Sequence, residues 1–321
     1  MPNIIEMKTT IRLLILFLTV IFFGTCRRDK TMAGGDINNV FKSLMVESEF
    51  FTFDAESSES IICKYGSKIF IQPNSFFYCN GDMVTGEIEL EVKEVLTKGD
   101  AILCNISTKT TGGDLLRTGG MIYISAEQNG IKLCVDQDEP IQVMLPNANP
   151  QPGMTLYSGI NVDGSFCIGC NGNISWSPID SLLVSTINDS IQGGNFYSFF
   201  TSDLNWLNCD DTIYVPAGTG TTINVYVDED YTMDNAAVFV VFHNDDLVAS
   251  ADSYQSDHSF MFGYSGSEFP IGYDITLIGI ATLNGSYYSA FKDATTIANF
   301  NIELDFSPTS ISEFEYDVSQ L

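Results

Sequence analysis

The chain has 321 residues, of which 45% are hydrophobic and 17% are charged, and this composition excludes a disordered chain. Acidic residues outnumber basic residues by 41 to 14, which gives a net charge of −27 and leaves no basic surface with which to bind nucleic acid. Abundant aromatic residues and glycines, with short apolar runs between them, are typical of β structure, and the length allows two domains.

The first segment predicts export. A basic start precedes the apolar run Leu13–Phe23, which is far shorter than the roughly 20 residues that a spanning helix needs. Cys26 follows this run almost directly. The stretch resembles a bacterial lipoprotein signal, and the resemblance implies a signal peptide over 1–25 and a lipidated Cys26 that starts a tether over 26–46. A cleaved and freely secreted protein is the alternative.

The residues after Cys26 bear on which way the chain faces. Surface-directed lipoproteins of the Bacteroidota resemble one another in an acidic run just after the lipidated cysteine. Here residues 27–30 read RRDK and are net positive, and two arginines beside the lipid suit anionic headgroups. We therefore expect an outer-membrane anchor with the domains in the periplasm, in preference to the cell surface. A short helical turn is expected near Asn38–Leu44.

Strand patterns begin at Glu47. GEIELEVKEVL, residues 86–96, alternates apolar and charged residues, so it predicts a strand whose Ile88, Leu90 and Val92 face a core. The sequence QNG at 128–130 predicts a hairpin turn.

Several motifs resemble a known family. YGSKIFIQPNSFF (65–77), followed by the strand at 86–96, is similar to the core of ZU5-like β domains. Together with LLRTGGMIYISAEQNG (115–130), IQVMLP (141–146) and LNWLNCDD (204–211), it resembles a Bacteroidota lipoprotein family with no assigned activity. The resemblance implies a ZU5-like β-sandwich domain over residues 47–178.

A connector and a second domain complete the predicted all-β architecture. Residues 179–211 are rich in Asn, Asp, Ser and Gly and predict a connector, after which strand patterns resume over 212–321 and indicate an immunoglobulin-like sandwich. Asn284-Gly285 predicts a hairpin there. Ser181, Ser190 and Thr212 each fit the short Asp-Ser/Thr-apolar motif of O-glycosylation in Bacteroidota.

Residues that could bind a metal or act in redox chemistry are few. Asp228, Asp230 and Asp234 have the odd spacing of a calcium loop but lack the Gly and Glu of an EF-hand, so the alternatives are a different calcium site and a solvated strand end. The pair Cys167 and Cys170 precedes a turn and has no second CxxC, which argues against both redox chemistry and zinc. We expect no other cofactor.

The remaining candidate residues are thiols, histidines and tryptophans. Cys104 and Cys134 lie in apolar surroundings and are expected to be buried thiols. His243 and His258 are the two histidines, and neither lies in a recognised catalytic motif. The tryptophans are expected in the core.

The sequence therefore predicts a non-enzymatic, lipid-anchored envelope protein that presents a binding or scaffolding surface to an unidentified protein or glycan. A glycan-binding or adhesive module is the first alternative, and an envelope hydrolase is the second.

Overall fold

The computed structural model describes residues 36–161, 174–189, 193–263 and 268–321, without the side chains of 161 and 180–183. The predictions for Cys26, Cys167, Cys170 and Ser190, and for the Ser181 side chain, lie outside these residues. The described chain is mostly β, and its strands pair antiparallel with one exception in the second half, so the prediction of an all-β sandwich fold is confirmed. Within it, no helix is both long and apolar enough to cross a membrane.

The first half of the described chain is a sandwich of two sheets. Its strands are β1 (Glu49–Asp54), β2 (Glu59–Ile62), β3 (Lys68–Ile71), β4 (Phe76–Tyr78), β5 (Glu87–Val95), β6 (Leu116–Gln128), β7 (Ile131–Val135), β8 (Ile141–Pro146), β9 (Thr155–Asn161), β10 (Ile174–Leu183), β11 (Ser185–Asn188), β12 (Asn195–Thr201) and β13 (Trp206–Thr212). Sheet A has the order β1-β5-β6-β13-β9-β10, with β7 and β4 attached beside β6, and sheet B has the order β11-β12-β8-β3-β2. Apolar side chains from both sheets fill the space between them.

The second half forms another two-layer β structure. Its strands are β14 (Gly220–Thr221), β15 (Ile223–Tyr226), β16 (Ala236–Phe242), β17 (Val248–Ser250), β18 (Ser253–Tyr254), β19 (Ser259–Phe262), β20 (Phe269–Pro270), β21 (Asp274–Leu283), β22 (Ser286–Thr295), β23 (Phe300–Glu303) and β24 (Ser307–Thr309). Sheet C has the order β18-β19-β15-β23, sheet D has the order β17-β16-β21-β22-β24, and β14 pairs with β20. A separate apolar cluster lies within this half.

Local sequence patterns are reproduced in three places. In β5, Ile88, Leu90 and Val92 are almost fully buried, so the predicted strand and its inward face are confirmed. The hairpins β6–β7 and β21–β22 turn at Asn129-Gly130 and Asn284-Gly285, where all four residues have positive φ, as a type I′ turn requires.

In the part of the chain that the structure describes, three helices pack between the two halves. They are α1 (Ile37–Leu44), α2 (Lys98–Leu103) and α3 (Ile311–Val318), and α1 confirms the predicted helical turn. Their apolar faces join one cluster with the outer faces of sheets A and D, and the ring of Phe41 meets Phe239 edge-on at 6.0 Å. The backbone also connects the halves, because the Thr108 amide donates to the Val248 carbonyl at 2.7 Å. The two halves therefore share a core.

The connector predicted over 179–211 is wrong for the described residues, because most of them are strand. β12 pairs with β8 within sheet B, and β13 pairs with both β6 and β9 within sheet A. Asn and Ser are abundant here, but alternate aromatic residues such as Tyr197 and Phe199 enter the core of the first sandwich. The segment that was predicted to link two domains is thus part of the first one.

Candidate functional site

The acidic loop between β15 and β16 contains the three calcium candidates. Within the loop, the Asp228 carboxylate accepts a hydrogen bond from the Asp230 amide at 3.4 Å, and the Asp234 amide donates to the Thr232 hydroxyl. The Asp234 carbonyl accepts a hydrogen bond from the Ile37 amide of α1 at 2.9 Å. Among the described residues, these three carboxylates are not a set whose oxygens lie within 4.8 Å of one another. The loop therefore connects to the start of α1 instead of gathering its carboxylates around one point.

The two histidines lie in different settings. His243 Nε2 is 2.8 Å from the Thr276 hydroxyl, which itself donates to Asp293 at 2.7 Å. The Asp293 carboxylate lies 3.7 Å from the same ring nitrogen, whereas a triad needs the carboxylate on the other nitrogen. His258 has its Nδ1 3.1 Å from the Tyr254 hydroxyl in an exposed turn.

Of the three glycosylation candidates, Thr212 has a described side chain. It ends β13 and is exposed, with its hydroxyl 3.2 Å from the Tyr157 hydroxyl. Trp176 and Trp206 are both fully buried, which confirms the expectation that they pack in the core.

A disulfide joins Cys79 to Cys134, so the prediction that Cys134 is a free buried thiol is wrong. The pairing follows from topology: β4 pairs with β7, with Phe77 opposite Cys134, and this brings Cys79 within reach, at 5.2 Å between Cα atoms. The turn at Gln128–Gly130 sets β7 beside β6, but the partner β4 is distant in sequence.

The described cysteines outside the disulfide are Cys63, Cys104 and Cys209, and all three are buried. For Cys104 this confirms the prediction. Burial raises the pKa of Cys104 to about 12 and raises the pKa of Cys209 well above its usual value. These thiols are therefore protonated at neutral pH and are poor nucleophiles.

Cys63 belongs to a cluster that the sequence analysis missed. Its Sγ and one carboxylate oxygen each from Glu49 and Glu94 lie within 4.8 Å of one another. Burial, followed by the charges of Glu94 and Glu49, raises the pKa of Cys63 to about 12. The sequence contained one signal: Glu94 stands at an inward-facing position of β5, where the alternation predicts an apolar residue.

Sheet A also presents buried polar groups to the shared core. Asp210 is fully buried, and neither of its carboxylate oxygens has a hydrogen-bond partner among the described residues. The nearby Thr118 hydroxyl donates its one hydrogen to the Asn208 side chain at 2.8 Å. Loss of solvation raises the pKa of Asp210 well above its usual value, and the charge of the neighbouring Asp211 adds to the effect. This carboxyl is therefore held in its neutral form well above the pH at which a free aspartate ionises.

A groove of about 520 Å³ crosses the ends of strands in sheet B. Ile62, which is 57% exposed, forms one wall, and Phe196 and Asn195 contribute to the other. Lys68 lines the groove while its ammonium contacts Asp189 at 2.7 Å and lies 4.6 Å from the centre of the Phe196 ring. The groove thus combines an exposed apolar side chain with amide and charged groups, as ligand sites do.

Comparison with protein-family models finds no match to this sequence, and comparison with curated proteins finds no similar chain. The resemblance to ZU5-like domains and to a Bacteroidota lipoprotein family therefore stays a prediction.

Proposed function

We propose that this protein is a lipid-anchored, non-enzymatic component of a bacterial envelope that presents a binding or scaffolding surface. The observation that carries the proposal is the Cys79–Cys134 disulfide, because disulfides form and persist outside the cytosol. It agrees with the export signal and with Cys26 as the lipidated residue. The protonated state of the buried thiols supports a role that uses no cysteine nucleophile.

The groove across sheet B is the surface that we propose for binding. Its exposed Ile62 can bury apolar area against a partner, and its amides can fix orientation by hydrogen bonds. Sheet B lies on the side of the first sandwich away from the shared core, so a partner can reach this face without separating the two halves.

Replacing Cys26 with alanine should move the protein from the membrane fraction to the soluble fraction. Two or three acyl chains hold a protein stably on a membrane, because each buried CH₂ contributes about 0.8 kcal/mol of binding free energy. The variant has no thiol at position 26 to acylate. Fractionation of cells followed by immunoblotting measures the distribution. A variant that stays with the membrane would refute the lipid anchor, and Cys104→Ala serves as a cysteine replacement that leaves the signal unchanged.

The same cells reveal which way the anchored protein faces. We propose the periplasmic side, so external protease should spare the wild-type chain in intact cells and digest it after lysis. Digestion in intact cells that retain a periplasmic control protein would instead put the domains on the cell surface.

Glycan binding is the second candidate function, favoured by the amide-bearing Asn147 and Asn195 beside the apolar wall of the groove. On an array of bacterial and host polysaccharides, Ile62→Asp should reduce retention by about tenfold or more, because it places a charge where a sugar face would exclude water. Ile131→Asp is the matched control, since Ile131 is equally exposed at 57% and does not line the groove. No retained glycan, or equal losses in both variants, would count against this function.

A further inference from the structure

At one end of the first sandwich, several side chains point into the space between sheets A and B. In the β1–β5 pair, Glu49 is opposite the core residue Val92, and Glu94 follows Val92 at the next inward position of β5. Cys63 continues the inward face of β2 after Ile61, and its amide donates to the carbonyl of Ser67 across the β2–β3 turn. Residues that are opposite in an antiparallel pair point to the same face, so Ser67 also points inward.

Backbone contacts confirm that the two sheets meet here. The Glu94 carboxylate accepts the Tyr65 amide at 2.7 Å and the Ser67 amide at 2.9 Å, while Glu49 accepts the Lys64 amide at 2.9 Å. Both glutamates come from sheet A, and all three amides belong to the β2–β3 turn of sheet B. These hydrogen bonds hold the turn against the two carboxylates, and the Cys63 thiol lies beside them.

The buried carboxylate of the cluster forms no salt bridge with a described side chain, whereas the charge of Lys64 acts on Glu49. Glu94 is only 3% exposed, and its partners are two backbone amides, with no ion pair to a described basic side chain. A carboxylate offers about four lone-pair sites, so about two on Glu94 stay open. Buried carboxylates are normally paired with a cation or coordinate a metal ion.

The hydroxyl of Ser67 is a second and independent sign of a ligand. Ser67 is fully buried and points to the same inward side, and its Oγ has no hydrogen-bond partner within the described part of the chain. An unsatisfied buried hydroxyl is destabilising, and this one lies in the turn that also supplies Cys63.

We propose that Cys63 Sγ and the carboxylates of Glu49 and Glu94 bind one zinc ion, with the Ser67 hydroxyl facing the fourth position. A sulfur with carboxylate oxygens suits Zn²⁺, whereas Ca²⁺ and Mg²⁺ take oxygen ligands alone. Binding exchanges water on zinc for the three protein ligands and releases the Cys63 proton to solvent. The ion would cross-link sheets A and B, and the site departs from the sequence expectation of no zinc because its ligands come from three separate segments.

Metal titration of the full chain tests the proposal, in a Cys167→Ser/Cys170→Ser background that removes this cysteine pair outside the described residues. We expect one Zn²⁺ per chain and, with Co²⁺ as a spectroscopic probe, a thiolate-to-cobalt charge-transfer band. Cys63→Ser should abolish the band and weaken Zn²⁺ binding by about 100-fold or more. Cys104→Ser is the matched control, since Cys104 is an equally buried free thiol outside the cluster, and it should keep both signals.

Stability provides a second readout. Zinc should raise the melting temperature of the background chain and of Cys104→Ser but not of Cys63→Ser. If Cys63→Ser does not fold, Glu49→Gln takes its place in the test, because Glu49 is only half-buried at the start of β1 and its replacement should leave the fold intact. Glu49→Gln should weaken Zn²⁺ binding by about tenfold. The proposal is overturned if the Cys167→Ser/Cys170→Ser chain binds less than one zinc ion. It is also overturned if Cys63→Ser, or Glu49→Gln where Cys63→Ser does not fold, binds zinc as tightly as Cys104→Ser.

Discussion

Replacing Cys79 and Cys134 by serine should lower the free energy of unfolding by about 4 kcal/mol. The disulfide closes a loop with a sequence separation of 55 residues, and loop-closure entropy for such a length predicts about this effect through the unfolded chain. For a body of this size the loss corresponds to a fall in melting temperature of roughly 5–10 °C. In the folded chain the bridge joins the turn after β4 to β7, and β4 is a short strand at the margin of sheet A.

Thermal and urea unfolding of the wild type and the double variant, each with and without dithiothreitol, measure the effect. Reductant should bring the wild type to the melting temperature of the double variant and leave the double variant unchanged. The double variant keeps Cys26, Cys167 and Cys170, so any response of it to reductant reports on cysteines other than Cys79 and Cys134. A wild type that is oxidised at Cys79 and Cys134 but melts like the double variant would contradict the prediction.

Patterns that depend on neighbours in sequence could be predicted. The alternation in β5 gave its buried face, and two Asn-Gly pairs gave two hairpins, because the turn needs positive φ at both positions. The capping boxes of α2 and α3, with Thr97–Asp100 and Ser310–Glu313, were also readable in principle. They were missed because helices of six and eight residues present little periodicity within β-rich sequence.

Pairings between distant segments could not be predicted. Polar composition favoured a connector over 179–211, yet β12 and β13 occupy interior positions of sheets B and A, because their aromatic residues bury area against strands far away in sequence. Cys134 was expected to be an isolated thiol since β4 could not be assigned as its neighbour. The cluster of Glu49, Cys63 and Glu94 depends on the same kind of contact.

The shared core explains why the chain tolerates polar groups on the outer face of sheet A. If the halves were separate domains, Asn208 and Asp210 of β13 would lie on a solvated sheet face. A carboxylate there would stay hydrated, with no loss of folding free energy. Contacts with the second half cover this face instead: the Thr118 amide donates to the Asp246 carbonyl at 2.9 Å, and Arg117 reaches Asp245 at 3.4 Å. Contact between the halves therefore takes the Asp210 carboxyl out of water.

Asp210→Asn should therefore stabilise the protein by roughly 1–3 kcal/mol at neutral pH, because asparagine stays uncharged in the buried site without taking up a proton. In the unfolded chain Asp210 ionises near its ordinary pKa of about 3.9, whereas burial raises its pKa in the folded chain well above that value. Between the two pKa values the folded state holds a proton that the unfolded state has lost. Stability is therefore lost as the pH rises through this window, and the loss is complete above the folded pKa.

Urea unfolding of the wild type and Asp210→Asn from pH 4 to pH 8 measures this contribution. The two free energies should nearly agree at the acidic end, where Asp210 is protonated in the folded state and only about half ionised in the unfolded state, and should diverge as the pH rises, with the variant more stable. Asp211→Asn is the matched control, because the Asp211 side chain is 42% exposed and pairs with Arg117 at 2.8 Å. An exposed ion pair contributes only about 0–1 kcal/mol, so the control should be slightly less stable than the wild type at neutral pH. A stability difference for Asp210→Asn that does not change with pH, or a variant that is less stable at pH 8, would mean that Asp210 is not held neutral by the contact between the two halves.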